Sequence, residues 1–412
     1  MKRKRRTLSI MLAGAVLFGV STASHAASWD AGDWKLSLGG NINTFYVYTL
    51  CKEGDLKSGG TTLTGLVCAG AVDEKGKPKN TSSVQNGLLP ASLNFSASTN
   101  QEGWDISSNI SVYYGVTSVG TNGNSGGADA LKFSTVDARQ VFFTVGKGNI
   151  GTFKLGRDFG LFAFDAIIND MSLLGVGAQF VASDPGHTSL GGLGYGYVYT
   201  DRLAQINYTT PDMGGFKATI GVFNPLDGNG ADSAGTSGFH GKVAYGWKAP
   251  AGGTPISVTL SATGLTEEVN NSAAGKKGHI SGFDVFGKVN VAALSLLGYY
   301  YGAKGMDTLA IGGLVFPGFD NTAGGRTEKL DGYMVQATYT ISKFRLGANW
   351  SFSEQKEITK IENQKLGLGV FYNLTPALTL VAEYSDQESK IKSAGGGKDK
   401  TQNINVGGIL FF

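Results

Sequence analysis

Period-two alternation runs through this chain from its fourth decade to its last residue. In "WKLSLGGNIN", Trp34, Leu36, Leu38, Gly40 and Ile42 share one face, and Lys35, Ser37, Gly39, Asn41 and Asn43 the other. "WDISSNISVYY" sets Trp104, Ile106, Ile110 and Val112 against Asp105, Ser107, Asn109 and Ser111. "FRLGANWSF" and "LTLVAEY" repeat the arrangement, as Phe344, Leu346, Ala348, Trp350 and Phe352 and as Leu378, Leu380, Ala382 and Tyr384. One apolar and one polar face mean half-buried strands. Many of these runs reach about 9 to 12 residues, whereas globular strands cluster near 5–6. A strand tilted by about 45° needs about 9–11 residues to cross a bilayer.

The connectors sharpen the reading. Short ones (Asn100–Gly103, Lys147–Asn149, Asp212–Gly215, Ala249–Thr254, Asn290 with its neighbours, Ser342–Lys343, Thr375–Pro376) alternate with long polar ones. The long ones are Thr49–Gly87, Gly120–Thr135, Asp158–Thr200, Asn224–Gly238, Leu265–Lys277, Lys304–Glu328, Glu354–Ile361 and Gln387–Lys400. Tight turns at one end and long loops at the other mark a transmembrane barrel. The pattern predicts an all-β fold, an antiparallel transmembrane β-barrel of sixteen strands. Closure has a physical cause. In hydrocarbon every backbone N–H and C=O needs a partner within the protein, and an open edge would leave a row without one. The ending "NINVGGILFF" then makes sense. Phe412 completes the last strand at the membrane boundary, its apolar face turned to lipid rather than to a soluble core.

The first 26 residues stand apart. Lys2, Arg3, Lys4, Arg5 and Arg6 precede the apolar run "LSIMLAGAVLFGV", and Ser24-His25-Ala26 has the small-x-small form of a cleavage site. This predicts a secretory signal peptide over 1–26 and a barrel domain over 27–412. The signal holds five basic residues and no acid, so removing it turns the formal charge from +3 to −2. The basic balance belongs to the signal and gives no reason to expect nucleic acid as a partner. Beyond residue 26 no run of 18 apolar residues occurs, so no transmembrane helix is expected. Cys51 and Cys68 share one polar segment, a spacing that suits a local disulfide in an exported protein.

One connector is unusually apolar. Between Gly156 and Gly196 it mixes Phe159, Leu161, Phe162, Phe164, Ile167, Ile168, Met171, Leu173 and Leu174 with Asp158, Asp165 and Asp170. Such a loop should fold inward, with part of it as a short helix. Together with "KLGRDFG" before it, the terminal Phe412 and the sixteen-strand pattern, this chain resembles the Gram-negative general porins, the trimeric porins of proteobacteria. The resemblance covers the mature chain. It implies an outer-membrane, water-filled channel for passive diffusion of small hydrophilic solutes and ions, and a homotrimer. It also implies that the third loop, over 158–200, narrows the pore, with Asp158, Asp165 and Asp170 facing bases on the wall. Outer-membrane lipid and lipopolysaccharide are the surroundings this implies, and no cofactor is expected.

Strand parity nominates the wall charges. The lumen-side bases are Lys35, Arg139, Lys154, Lys217, Lys242, Lys288, Arg345 and Lys365, against the acids Asp105, Asp284 and Glu383. That excess suggests a transverse field and a mild anion preference. Parity would aim Arg157 outward. A bend there is expected to bring it to the base of the loop.

No enzymatic reading survives. "GNSGG" at 123–127 matches G-x-S-x-G but lies in a polar loop without the strand–turn–helix that a nucleophile requires. "GFDVFGKV" at 282–289 lacks the Ser or Thr of a phosphate-binding loop and reads as a strand. His187, His240 and His279 keep no metal-ligand spacing, so no metal site is expected. Two alternatives stand beside the general porin. A substrate-specific channel for small carboxylate-type anions would show a ladder of Arg and Lys. A secreted β-sandwich would show shorter strands and connectors of even length.

Overall fold

The structure, a computed structural model, describes residues 26–58, 61–62, 68, 73–75, 77–116, 136–179, 188–200, 202–224, 237–271, 276–305, 329–357 and 360–412. The expected signal peptide lies outside them, Ala26 excepted. Its strands are β1 (Ala27–Ala31), β2 (Trp34–Gly54), β3 (Lys57–Ser58), β4 (Thr61–Thr62), β5 (Thr81–Gln85), β6 (Ala91–Gln101), β7 (Trp104–Tyr114), β8 (Val136–Lys147), β9 (Gly151–Phe159) and β10 (Arg202–Thr209). They continue with β11 (Phe216–Phe223), β12 (Gly238–Lys248), β13 (Ile256–Asn271), β14 (Lys276–Val291), β15 (Leu294–Lys304), β16 (Lys329–Ile341), β17 (Phe344–Gln355), β18 (Ile361–Asn373), β19 (Leu378–Ile391) and β20 (Lys398–Phe411). One helix, α1 (Phe164–Asn169), and a 3-10 turn (Met171–Leu174) lie between β9 and β10.

The sheet closes. From β6 to β20 each strand pairs antiparallel with the next. The seam is β2 against β20, from Asn41↔Phe411 up to Gly54↔Asp399. Beyond the ladder, Gly40 N donates to Phe412 O (2.8 Å) and Phe412 N to Gly40 O (3.1 Å). Gly40 is needed there, because a Cβ would stand 2.2 Å from Ser92 O. Two short strands complete the edges of β2. β1 fills the part of the edge that β20 leaves open, and β5 extends the edge that begins with β6. Setting these two aside leaves the sixteen strands that the alternation predicts.

Alternation becomes inside and outside. On β18, Leu366, Leu368 and Val370 point out and are exposed, while Lys365 and Phe371 point in and are buried. Outward apolar side chains cost nothing where the solvent is hydrocarbon. Two long connectors prove shorter than expected. The 265–277 connector is largely β-hairpin, Leu265 through Asn271 pairing with Gly282 back to Lys276. Much of the 387–400 connector is likewise paired, Gln387 through Lys390 facing Thr401 to Lys398. There the outer face turns from apolar to charged, with Lys398 on Glu388 at 2.9 Å. The change of polarity hides a strand that simply continues above the lipid.

Candidate functional site: the inner loop and its wall

The third long loop leaves β9 at Gly160 and crosses the inside of the barrel. Its helix begins after Ala163, whose backbone is left-handed (φ 60°), so the chain turns sharply inward there. Hydrogen bonds to the wall track its course. Leu161 N meets His240 Nδ1 on β12 at 3.4 Å, and Ala163 N donates to Asp284 Oδ2 on β14 at 2.6 Å. Gln336 on β16 clamps the end of the helix from both sides. Its Oε1 accepts from Met171 N (2.6 Å) and its Nε2 donates to Asn169 O (2.9 Å). Glu383 on β19 accepts from Val176 N (2.5 Å) and Gly177 N (3.3 Å). A Cβ on Gly175 would stand 2.2 Å from that carboxylate, so any larger residue would have to push it aside. The loop then reaches β5, where Gln179 and Gln85 exchange amide hydrogen bonds of 2.8 and 2.9 Å.

The returning limb of the loop lies on the same wall. Lys365 Nζ donates to Gly191 O at 2.8 Å, Ser353 Oγ to Gly194 O at 2.5 Å, and Thr200 Oγ1 to Gly160 O at 2.8 Å. Apolar packing reinforces the path. Phe162, Ala166, Ile167, Tyr195, Tyr197 and Val198 are buried in one cluster with the inward-facing Phe286, Tyr301, Leu330 and Met334. The loop's oily composition is thus used up against the inner wall.

The three expected loop acids divide into three roles. Asp158 sits on β9 rather than in the loop, because β9 runs on to Phe159; its Oδ2 receives Lys154 Nζ at 2.5 Å and its Oδ1 receives Gln140 Nε2 at 2.8 Å. Asp165 meets the wall, paired with Lys242 Nζ at 2.6 Å and bonded to Ser261. Asp170 turns away from the pore. It is buried and accepts from Ser172 N (2.9 Å), Tyr197 Oη (2.8 Å) and Asn349 Nδ2 (3.1 Å). Burial, and after it the neighbouring Asp170 carboxylate, push the Tyr197 hydroxyl well above its ordinary range, which keeps it a donor.

The expected wall bases also separate. Arg139 faces in because a bulge on β8 leaves it unopposed, Ser111 pairing with Gln140 and Val112 with Ala138. It is buried on Asp137 (2.9 Å) and over the Tyr113 ring (4.9 Å). Arg345 lies over Phe371 at 4.3 Å. Lys35 is exposed at the turn end of β2, away from the loop. Arg157 does not swing inward. The β8–β9 and β9–β10 ladders keep register through it, pairing it with Val141 and Ala204, so it stays exposed on the outer face. Cys51 and Cys68 are joined in a disulfide, Cα atoms 5.5 Å apart. Asp284, Glu383 and Gln336, which hold the loop, carry no local motif. Only their inward parity was legible.

A closed barrel with an oily outside, a polar inside and an inward-folded loop is a membrane channel of the porin kind. The sequence profile described as "Gram-negative porin" matches residues 13–392, and the chain belongs to that family. No curated protein sequence matches it. Among solved structures, the outer membrane channel DcaP of Acinetobacter baumannii superposes with a TM-score of 0.61 at 13% identity, over 94% of this chain and 100% of that one. OmpF of Salmonella typhi, in complex with daunomycin, gives 0.57 at 13% identity over 94% and 100%. In-vitro folded OmpT, an outer membrane protein of Vibrio cholerae, gives 0.53 at 13% over the same shares. At such identities the likeness is one of fold. The family places the chain in the outer membrane as a channel for passive diffusion.

Proposed function

We propose that this porin passes small hydrophilic solutes and ions through a pore that the third loop narrows, with a mild preference for anions. The observation that carries this reading is the crossing of the lumen by the loop, which sets Asp165 against Lys242 at 2.6 Å. The wall is less one-sided than parity suggests, since Asp137 and Asp158 pair with Arg139 and Lys154. The preference then rests on lumen bases with no carboxylate at ion-pair distance among the described residues, Lys288 and Arg345 foremost. The working unit is a homotrimer in lipid and lipopolysaccharide, reached after removal of residues 1–26, and it conducts without catalysis or cofactor.

The test is the reversal potential across a salt gradient. Asp165→Asn removes a negative charge from the lumen and should shift the potential toward stronger anion preference. Asp170→Asn, buried away from the pore, should shift it far less. A strongly cation-selective native channel would overturn the proposed preference. A second reading, a channel specific for small carboxylates, is favoured by the same two bases.

A further inference from the structure

Arg157 is a charge out of place on the outer face. On β17 the outward file runs Phe344, Leu346, Ala348, Trp350 and Phe352 before its first charge, Glu354, and β16 runs from Ile341 to Tyr333 before Asp331. On β9 only Phe153 and Leu155 precede Arg157. Phe153 packs on Tyr208 at 5.0 Å as Phe344 does on Tyr372 at 4.6 Å, so both files start from an aromatic pair beside the turns. Four residues further along a strand tilted by about 40°, Arg157 stands about 10 Å above that pair. Its neighbours across the two ladders are Val141 and Ala204, and Phe143 and Ile206 extend the exposed apolar surface around it. Among the described residues it makes no hydrogen bond and no ion pair. The wall is also shorter here. β9, β10 and β11 have nine, eight and eight residues, whereas the strands from β12 to β20 have eleven to sixteen. Eight residues rising about 3.3 Å each at that tilt climb about 20 Å, short of an apolar band about 25 Å tall.

Lipid suits neither feature. A guanidinium within hydrocarbon is costly unless something polar meets it, and a wall shorter than the hydrocarbon forces the bilayer to thin. A protein surface removes both costs. Its carbonyl, hydroxyl or carboxylate oxygens accept from the guanidinium fork, and its own strands stand in for the missing height. We propose that the outer face of β8 to β11 around Arg157 is a docking surface for a second copy of this chain, which supplies the acceptor that Arg157 lacks. This rests on the homotrimer reading and names the surface the copies use. A second copy fits the low wall because it brings strands of eleven residues and more to stand against it. In a closed ring of three the contact is heterologous, so this face meets a different face of the next copy.

The experiment combines assembly with lipid contact. Sedimentation equilibrium of the folded protein in detergent should show a native trimer, and Arg157→Leu should raise the concentration at which it dissociates about tenfold or more, as loss of a charge-assisted hydrogen bond implies. Were Arg157 turned to lipid, the same change would leave assembly untouched. In vesicles whose acyl chains carry nitroxide groups, a bimane label on Ala204→Cys, beside Arg157, should be quenched several-fold less than one on Leu368→Cys, on the strand eight places round the sheet from β10. A label at Ala204 that itself breaks up the trimer, where one at Leu368 does not, supports the same face. Dissociation unchanged in Arg157→Leu, or equal quenching at the two positions in an intact trimer, would overturn this surface and leave the homotrimer to another one. A native monomer that still conducts in planar bilayers would overturn the surface and the homotrimer together while leaving the channel reading intact.

Discussion

Asp170 shows how far a residue's role depends on what faces it. By composition it belongs with Asp158 and Asp165, three acids in one apolar stretch. In the fold it caps the 3-10 turn and ties Tyr197 to Asn349. Asp170→Ala would strand three donors, at a cost of about 1–3 kcal/mol for each one left buried. The expected outcome is a loosened loop, read as a rise in open-channel current noise with little change in ion selectivity. Gly175→Ala should act similarly, because the new methyl would displace the Glu383 carboxylate from Val176 and Gly177. Arg157 gives the opposite lesson. Strand parity aims it outward, and the unbroken ladder keeps it there, against the expectation of a bend. Arg157→Gln should therefore leave the reversal potential unchanged, and a clear shift would put that side chain back in the lumen.

At the scale of elements, the strands were legible and the loop's path was not. Period two is a local property, written wherever a strand has lipid on one side and water on the other. It identified the outward faces of β7, β17 and β19 from sequence alone. It missed strand ends where the outer face becomes charged, as on β19 beyond Tyr384, because the alternation persists while its polarity contrast disappears. The loop's course depends on residues far apart in the chain, such as Met171 with Gln336 and Val176 with Glu383, and no spacing encodes such pairs. The bulge that turns Arg139 inward is equally silent in sequence. A strand-level prediction follows from the outward face. Leu368→Arg on β18 should destabilise folding into lipid vesicles by about 2–4 kcal/mol if it lies near the bilayer midplane. Equilibrium unfolding in urea with vesicles present measures this, and a neutral result would mean that β18 does not face lipid.

The whole molecule answers a single requirement, that no backbone amide face hydrocarbon without a partner. Sixteen strands satisfy it only when β2 and β20 meet, and Gly40 with Phe412 finishes that seam. The third loop fills part of the enclosed lumen, with apolar packing and, among the described residues, one ion pair to the wall. The two demands explain why a chain of moderate hydropathy contains a loop as oily as a soluble core. The most direct measurement is the conductance of the purified protein in planar bilayers. Discrete, ohmic steps at low voltage, appearing when the folded protein is added, are predicted. A protein that stays in solution without detergent and gives no steps would contradict the account.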